Sequence, residues 1–217
     1  MEAAQQIRSR ERVRGLAEVY TDEREVTAML DLVGDMFPSA EEPGNTDRTF
    51  LEPACGHGNF LVEILGRKLE FVTPRRYGRG ERFEHRVLRC LASIYGIDIC
   101  EDNVYESRER MEQAIHAHLA KHLGAKGPTV GFLGALGVIL ETNVVCADSL
   151  LDTATIELVE YRPERWCTFV REWSHLESGG STLSPLVRRR DTAPLHYSEL
   201  SANPGPVAAE AAEREAA

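Results

Sequence analysis

The chain has 217 residues, 42% of them hydrophobic and 28% charged, and carries a formal net charge of -10 at pH 7. It contains no apolar run of the roughly 18 residues that a membrane span requires, so no membrane association is expected. The acidic balance disfavours nucleic-acid binding by the whole surface, because phosphate contacts need clustered Lys and Arg; DNA contact would have to be local or supplied by a partner.

The first residues are charged (Arg8, Arg10, Glu11, Arg12, Arg14) and lack the apolar core of an export signal, so a cytoplasmic location is expected. Cys55, Cys90, Cys100, Cys146 and Cys167 lie far apart with no Cys-x-x-Cys pair, which reads as reduced thiols without a disulfide framework or zinc site. His85, His116, His118, His122, His175 and His196 show no metal-ligand spacing, and no metal is assigned.

In chain order, helices are expected over Arg10 to Val19 and Glu23 to Met36, the second with Val26, Met29, Leu30 and Val33 on one face and Thr21 or Asp22 as N-cap. A polar loop covers Pro38 to Asp47. A first strand, Thr49 to Pro53, leads through the turn Cys55-Gly56-His57-Gly58 into a helix from about Asn59 to Phe71, with Phe60, Leu61, Ile64, Leu65 and Leu69 at helical spacing. Gly56 and Gly58 lack a Cβ, so the backbone can turn tightly and let a ligand approach its N–H groups, while the helix that follows offers its positive end. Strand, glycine turn and helix together are the geometry of a nucleotide-type cofactor site.

The basic stretch Arg75-Arg76-Tyr77-Gly78-Arg79-Gly80-Glu81-Arg82 precedes a helix carrying Phe83, Val87, Leu88, Leu91 and Ala92. It reads equally as a phosphate contact or as a solvated loop. Ile94 to Ile99 is a second strand, and Glu101 to His122 a long helix with Val104, Met111, Ile115 and Leu119 on its apolar face. Gly124 to Gly137 is expected to be a loop with a short helix at Phe132-Leu133, and Asn143 to Cys146 a third strand. Beyond Leu151 the residues Tyr161, Trp166, Phe169, Val170 and Trp173 form an aromatic strand or platform, broken by Pro163, Gly179-Gly180 and Pro185. From Ser201 the composition is that of a flexible tail.

The octapeptide Pro53-Ala54-Cys55-Gly56-His57-Gly58-Asn59-Phe60, with Tyr20-Thr21 before it and Asp98 and Asp148 after it, resembles the cofactor-binding half of adenine-N6 DNA methyltransferases, particularly the modification subunits of restriction systems. The resemblance covers roughly Val19 to Leu151. It implies an α/β, Rossmann-like class I methyltransferase fold over residues 49–200, an N-terminal helical segment over 1–48 and a disordered tail over 201–217. S-adenosyl-L-methionine is the implied cofactor, held by Tyr20, Thr21, Glu52, Pro53, Ala54, Cys55, Gly56, Gly58, Asn59, Phe60, Asp98, Ile99, Asp148 and Ser149. Tyr20-Thr21 would pack over the methionine end, Glu52 would meet its ammonium, Asp98 would accept from the ribose hydroxyls and Asp148 from the adenine amine.

One part of the family pattern is missing. The catalytic (Asn/Asp)-Pro-Pro-(Tyr/Phe) motif occurs nowhere in the chain, so the fold is incomplete in that respect and the catalytic residues are unassigned. Asn203-Pro204 reads as a linker turn, and Trp173 either stacks a flipped base or serves as a packing element. The resemblance therefore implies a role in DNA adenine methylation, either through an atypical catalytic segment of this chain or with a partner protein that supplies recognition or catalytic segments. The alternatives are a cofactor-sensing or scaffold subunit without activity, and a small-molecule or protein methyltransferase.

Overall fold

A computed structural model describes residues 21–176 and 189–208. Helix α1 (Glu23–Asp31) is capped by Asp22, whose side chain accepts from the Arg24 N–H at 2.9 Å. It buries Val26 and Leu30, as its periodicity predicts, but ends earlier than Met36 because residues 34–36 tighten into a 3-10 turn. The expected helix at Arg10 to Val19 lies outside the described residues.

Strand β1 (Phe50–Glu52) leads into α2 (Asn59–Glu70). A short α3 (Pro74–Tyr77) and then α4 (Glu81–Ala92) bring the chain to β2 (Ile94–Asp98). The long α5 (Glu101–Leu123) and α6 (Val130–Asn143) lead to β3 (Val144–Cys146). The three strands form a parallel sheet in the order β1-β2-β3, with Phe50 opposite Ile94 and Gly96 opposite Val144. Parallel neighbours require crossovers, and the helices between them supply these. The result is a mixed α/β architecture compatible with a Rossmann-like fold.

The expected loop at Gly124 to Gly137 is corrected. Thr129 caps α6 by accepting from the Phe132 N–H at 3.1 Å, and the helix then runs to Asn143. Its glycines had suggested a loop, but Gly131 and Gly134 lie one turn apart and face the segment 197–201. A Cβ on Gly131 would stand 2.4 Å from Ser198 Cβ, and one on Gly134 2.7 Å from Ser201 Oγ. The glycines are therefore a docking face within a helix, where close approach outweighs their lower helix propensity.

After β3 the chain leaves the parallel sheet. Strands β4 (Glu157–Pro163) and β5 (Thr168–His175) pair antiparallel, and β6 (Arg189–Arg190) and β7 (Leu195–His196) both pair with β5. The aromatic platform expected here forms in part: Tyr161, Phe169 and Trp173 are buried, whereas Trp166 is 84% exposed. Tyr95 on β2 donates to the Val159 carbonyl at 3.0 Å, which joins the two sheets.

Two buried charged groups complete the packing. Glu84 on α4 accepts from the Thr129 N–H at 2.8 Å, the Thr129 hydroxyl at 2.7 Å and the Tyr197 hydroxyl at 2.5 Å, so one carboxylate joins α4, the start of α6 and the turn at 197–199. Arg171, with no exposed surface, donates to both oxygens of Asp191 at 2.8 and 3.1 Å. It also donates to the carbonyls of Asn203 at 2.6 Å and Gly205 at 2.8 Å. The Val207 N–H donates to Asp191 at 2.8 Å. The tail expected from Ser201 is thus corrected as far as Val207, and residues 209–217 lie outside the described residues. The turn at Asn203-Pro204 is thus held by Arg171 through the carbonyls of Asn203 and Gly205.

Among the described residues no helix is long and apolar enough to cross a membrane, and no group of three or more His, Cys, Asp or Glu could hold a metal ion.

Removing one partner of a buried ion pair strands the other in a low-dielectric interior. Asp191→Ala is expected to lower the unfolding free energy by about 3–5 kcal/mol in urea denaturation, and to expose the segment after Leu200 to proteolysis.

Candidate functional site

The carboxyl ends of β1, β2 and β3 lie side by side because the strands are parallel, and the turns that leave them share one edge of the sheet. The β1–β2 pairing extends past the strand, with the Cys55 N–H donating to the Ile97 carbonyl at 2.9 Å. The Gly58 N–H donates to the Cys55 carbonyl at 2.9 Å and closes the glycine turn. Gly58 has φ +90°, and a Cβ there would stand 2.9 Å from Ser107 Oγ, so both backbone conformation and space require glycine. The same residue is the N-cap of α2, and no side chain caps that helix. Its first N–H groups are left available to a ligand.

Asp98, at the end of β2, reaches across to this turn. Its Oδ2 accepts from the Gly56 N–H at 2.8 Å, a contact between residues 42 apart in sequence. Its Oδ1 accepts from the Cys100 N–H at 2.9 Å and the Asn103 amide at 3.2 Å. A carboxylate offers about four lone-pair positions, so among the described residues Oδ2 keeps one beyond its bond to Gly56. The backbone continues the link, with the Ala147 N–H donating to the Asp98 carbonyl at 2.9 Å. That bond brings Asp148 beside Asp98. Asp148 Oδ1 accepts from the N–H groups of Leu150 at 2.8 Å and Leu151 at 3.0 Å, leaving Oδ2 without a partner among the described residues.

The other expected residues divide into two sets. Thr21 is at the turn, because its carbonyl accepts from the Asn59 side chain at 2.8 Å. Glu52 accepts from the Ala54 N–H at 3.2 Å, Pro53 and Ala54 are exposed at the turn, and Ser149 is half-buried beside Asp148. Phe60, by contrast, packs against the hydrophobic core, and Ile99 is 56% exposed. Tyr20 lies outside the described residues. Burial and the neighbouring Asp98 charge push the Cys55 thiol up to about 12, so it is a packed thiol and no nucleophile.

Two residues that sequence reasoning passed over support the turn from α5. Ser107 donates to the Gly56 carbonyl at 2.8 Å, and Arg110 donates to the His57 carbonyl and to Asn59 Oδ1, both at 2.8 Å. With Asn103 they recur at spacings of four and three along one stripe of the helix. That polar stripe beside the apolar face was the available signal.

The glutamate, tryptophan and serine at Glu172-Trp173-Ser174 belong to β5, with Trp173 only 4% exposed and the guanidinium groups of Arg171 and Arg189 over its ring at 4.8 and 5.6 Å. It is a packing element. The chain matches no protein-family model, no curated protein and no solved structure.

Three donors, the Gly56 and Cys100 N–H groups and the Asn103 amide, lose a charged acceptor when the Asp98 carboxylate is removed. Asp98→Ala is expected to cost about 2–4 kcal/mol of unfolding free energy, and Asp98→Asn, which keeps one acceptor oxygen, clearly less; urea denaturation of both variants checks the order.

Proposed function

We propose that this chain binds S-adenosylmethionine as part of an adenine-N6 DNA methylation system of the restriction-modification or phage-defence kind, on a class I methyltransferase fold. The observation that carries this reading is the 2.8 Å bond between Gly56 N–H and Asp98 Oδ2, which sets a glycine turn and an acidic strand end beside each other. In this reading a ribose hydroxyl donates to the remaining lone pair of Asp98 Oδ2, the adenine amine donates to Asp148 Oδ2, and the ligand's carboxylate meets the uncapped start of α2. Glu52 faces the ammonium.

Methyl transfer from a sulfonium needs alignment of the attacking nitrogen, the methyl carbon and the leaving sulfur. The described segment after β3 enters an antiparallel sheet and the sequence holds no Asn-Pro-Pro-aromatic motif, which favours a partner protein over an atypical segment of this chain as the part that positions the acceptor amine. The absence of that motif favours one second reading, a cofactor-sensing or scaffold subunit that transfers nothing.

Isothermal titration of the folded chain with S-adenosylmethionine is expected to give saturable binding that Asp98→Ala abolishes. No binding at millimolar ligand would sink both readings. Tritiated methyl transfer to unmethylated plasmid, with the products of neighbouring genes added, is expected to occur and to be lost with Asp98→Ala; binding without transfer under every such condition selects the sensor.

A further inference from the structure

A second site lies away from the glycine turn and shares no residue with it. The first turns of α4, the connection between β4 and β5, and His196 on β7 enclose a cleft of about 650 Å³, within the size range of small-molecule sites. In a chain with net charge -10 its lining is basic. Arg82, Arg86 and Arg89 come from α4, and Arg165 from the β4–β5 connection, against one lining carboxylate, Glu81.

The arginines are of two kinds. Arg86 and Arg89 are held by Asp47, with Arg86 Nη1 at 3.3 Å from Oδ2 and Arg89 Nε donating to Oδ1 at 3.1 Å. Arg86 also lies over the Tyr77 ring at 4.3 Å, which fixes that ring at the cleft wall. Arg82 and Arg165 are exposed, and among the described residues neither guanidinium has a hydrogen-bond or ion-pair partner. Two held cations and two free ones are a cradle for an anion with several oxygens.

Beside them stands an unusual aromatic. Trp166 is 84% exposed, and both it and Cys167 have φ of 60°, a conformation that L-residues seldom adopt. Burying an indole is worth more than exposing it, so a chain that turns this ring outward on a strained connection has left a flat apolar surface without a cover. At the cleft floor His85, only 6% exposed, packs tilted against Phe169 with ring centroids 4.6 Å apart, and among the described residues its buried Nε2 has no hydrogen-bond partner. Burial and the nearby Arg89 charge lower its pKa to about 4, so it is neutral there.

The geometry points to a nucleoside-phosphate site, with the phosphate between Arg82 and Arg165 and the base stacked on Trp166. Guanidinium groups supply bidentate phosphate recognition, and an exposed indole stacks any base through its π-face. The ligand chemistry is shared by a free nucleotide and by a nucleotide within a single strand.

Two tryptophans are present, and Trp173 is buried, so binding at the cleft reads out through Trp166 emission. Titration with AMP, or with a short single-stranded oligonucleotide, is expected to quench that emission saturably, with the quench absent in Trp166→Phe. In Arg82→Ala/Arg165→Ala affinity is expected to fall at least about tenfold, since both charged contacts to the phosphate are lost. A free-nucleotide site favours AMP; a strand site favours the oligonucleotide, with affinity that falls as salt rises. No saturable quench by either probe at millimolar concentration, equal quenching by adenosine without phosphate, or unchanged affinity in the double arginine variant would overturn the proposal. S-adenosylmethionine binding by the same double variant is expected to be unchanged, which separates this site from the cofactor reading.

Discussion

A carboxylate at the end of a strand can hold its own turn or reach across to the next one, and Asp98 does both. Through Oδ1 it fixes the start of α5, and through Oδ2 it fixes the glycine turn before α2. These are the two turns that leave the neighbouring parallel strands, so the edge of the sheet is held as one unit rather than as separate loops. Ser107 and Arg110 then hold the same turn from the α5 side by its carbonyls. Donors and acceptors of the turn are thus both satisfied by one helix and one strand end. No side chain caps the N–H groups at the start of α2.

The second half of the molecule is organised by buried charge of another kind. Glu84 and Arg171 are each surrounded by partners of complementary polarity, and each joins segments distant in sequence. Such groups contribute little net energy when compared with apolar replacements, but they penalise any arrangement that leaves them unpaired. They define how the antiparallel sheet, the Gly131 and Gly134 face of α6 and the segment after Leu200 fit together. The same packing places the β4–β5 connection over α4 and so forms the basic cleft.

Much of the parallel half could be read from residue order. The first strand, the glycine turn and α2 follow from a short apolar run, two glycines and a 3.6-residue pattern, and β2 and α5 from patterns nearly as plain. What failed did so for identifiable reasons. Gly131 and Gly134 signal a loop by propensity, and only the approach of Ser198 and Ser201, more than 60 residues on, turns them into a helix face. The clamp on Asn203 and Gly205 depends on Arg171, 32 and 34 residues away, and local composition carries no trace of it. At the candidate site the contacting partners Asp98 and Gly56 were both named from the sequence, whereas Ser107 and Arg110 were passed over, since polar residues on a helix ordinarily face solvent. Trp166 and Trp173 were alike in sequence and opposite in exposure, because the β4–β5 turn directs one outward and the strand pleat directs the other inward.

The central claim is that the Asp98–Gly56 bond marks a cofactor site. Amide resonances of a 15N-labelled sample titrated with S-adenosylmethionine test it directly. The Gly56, Cys100 and Phe60 N–H signals are expected to shift together and saturably while the Trp166 indole signal stays in place; saturable shifts confined to the Trp166 cleft, or no shift at Gly56 and Cys100 with ligand in millimolar excess, would contradict it.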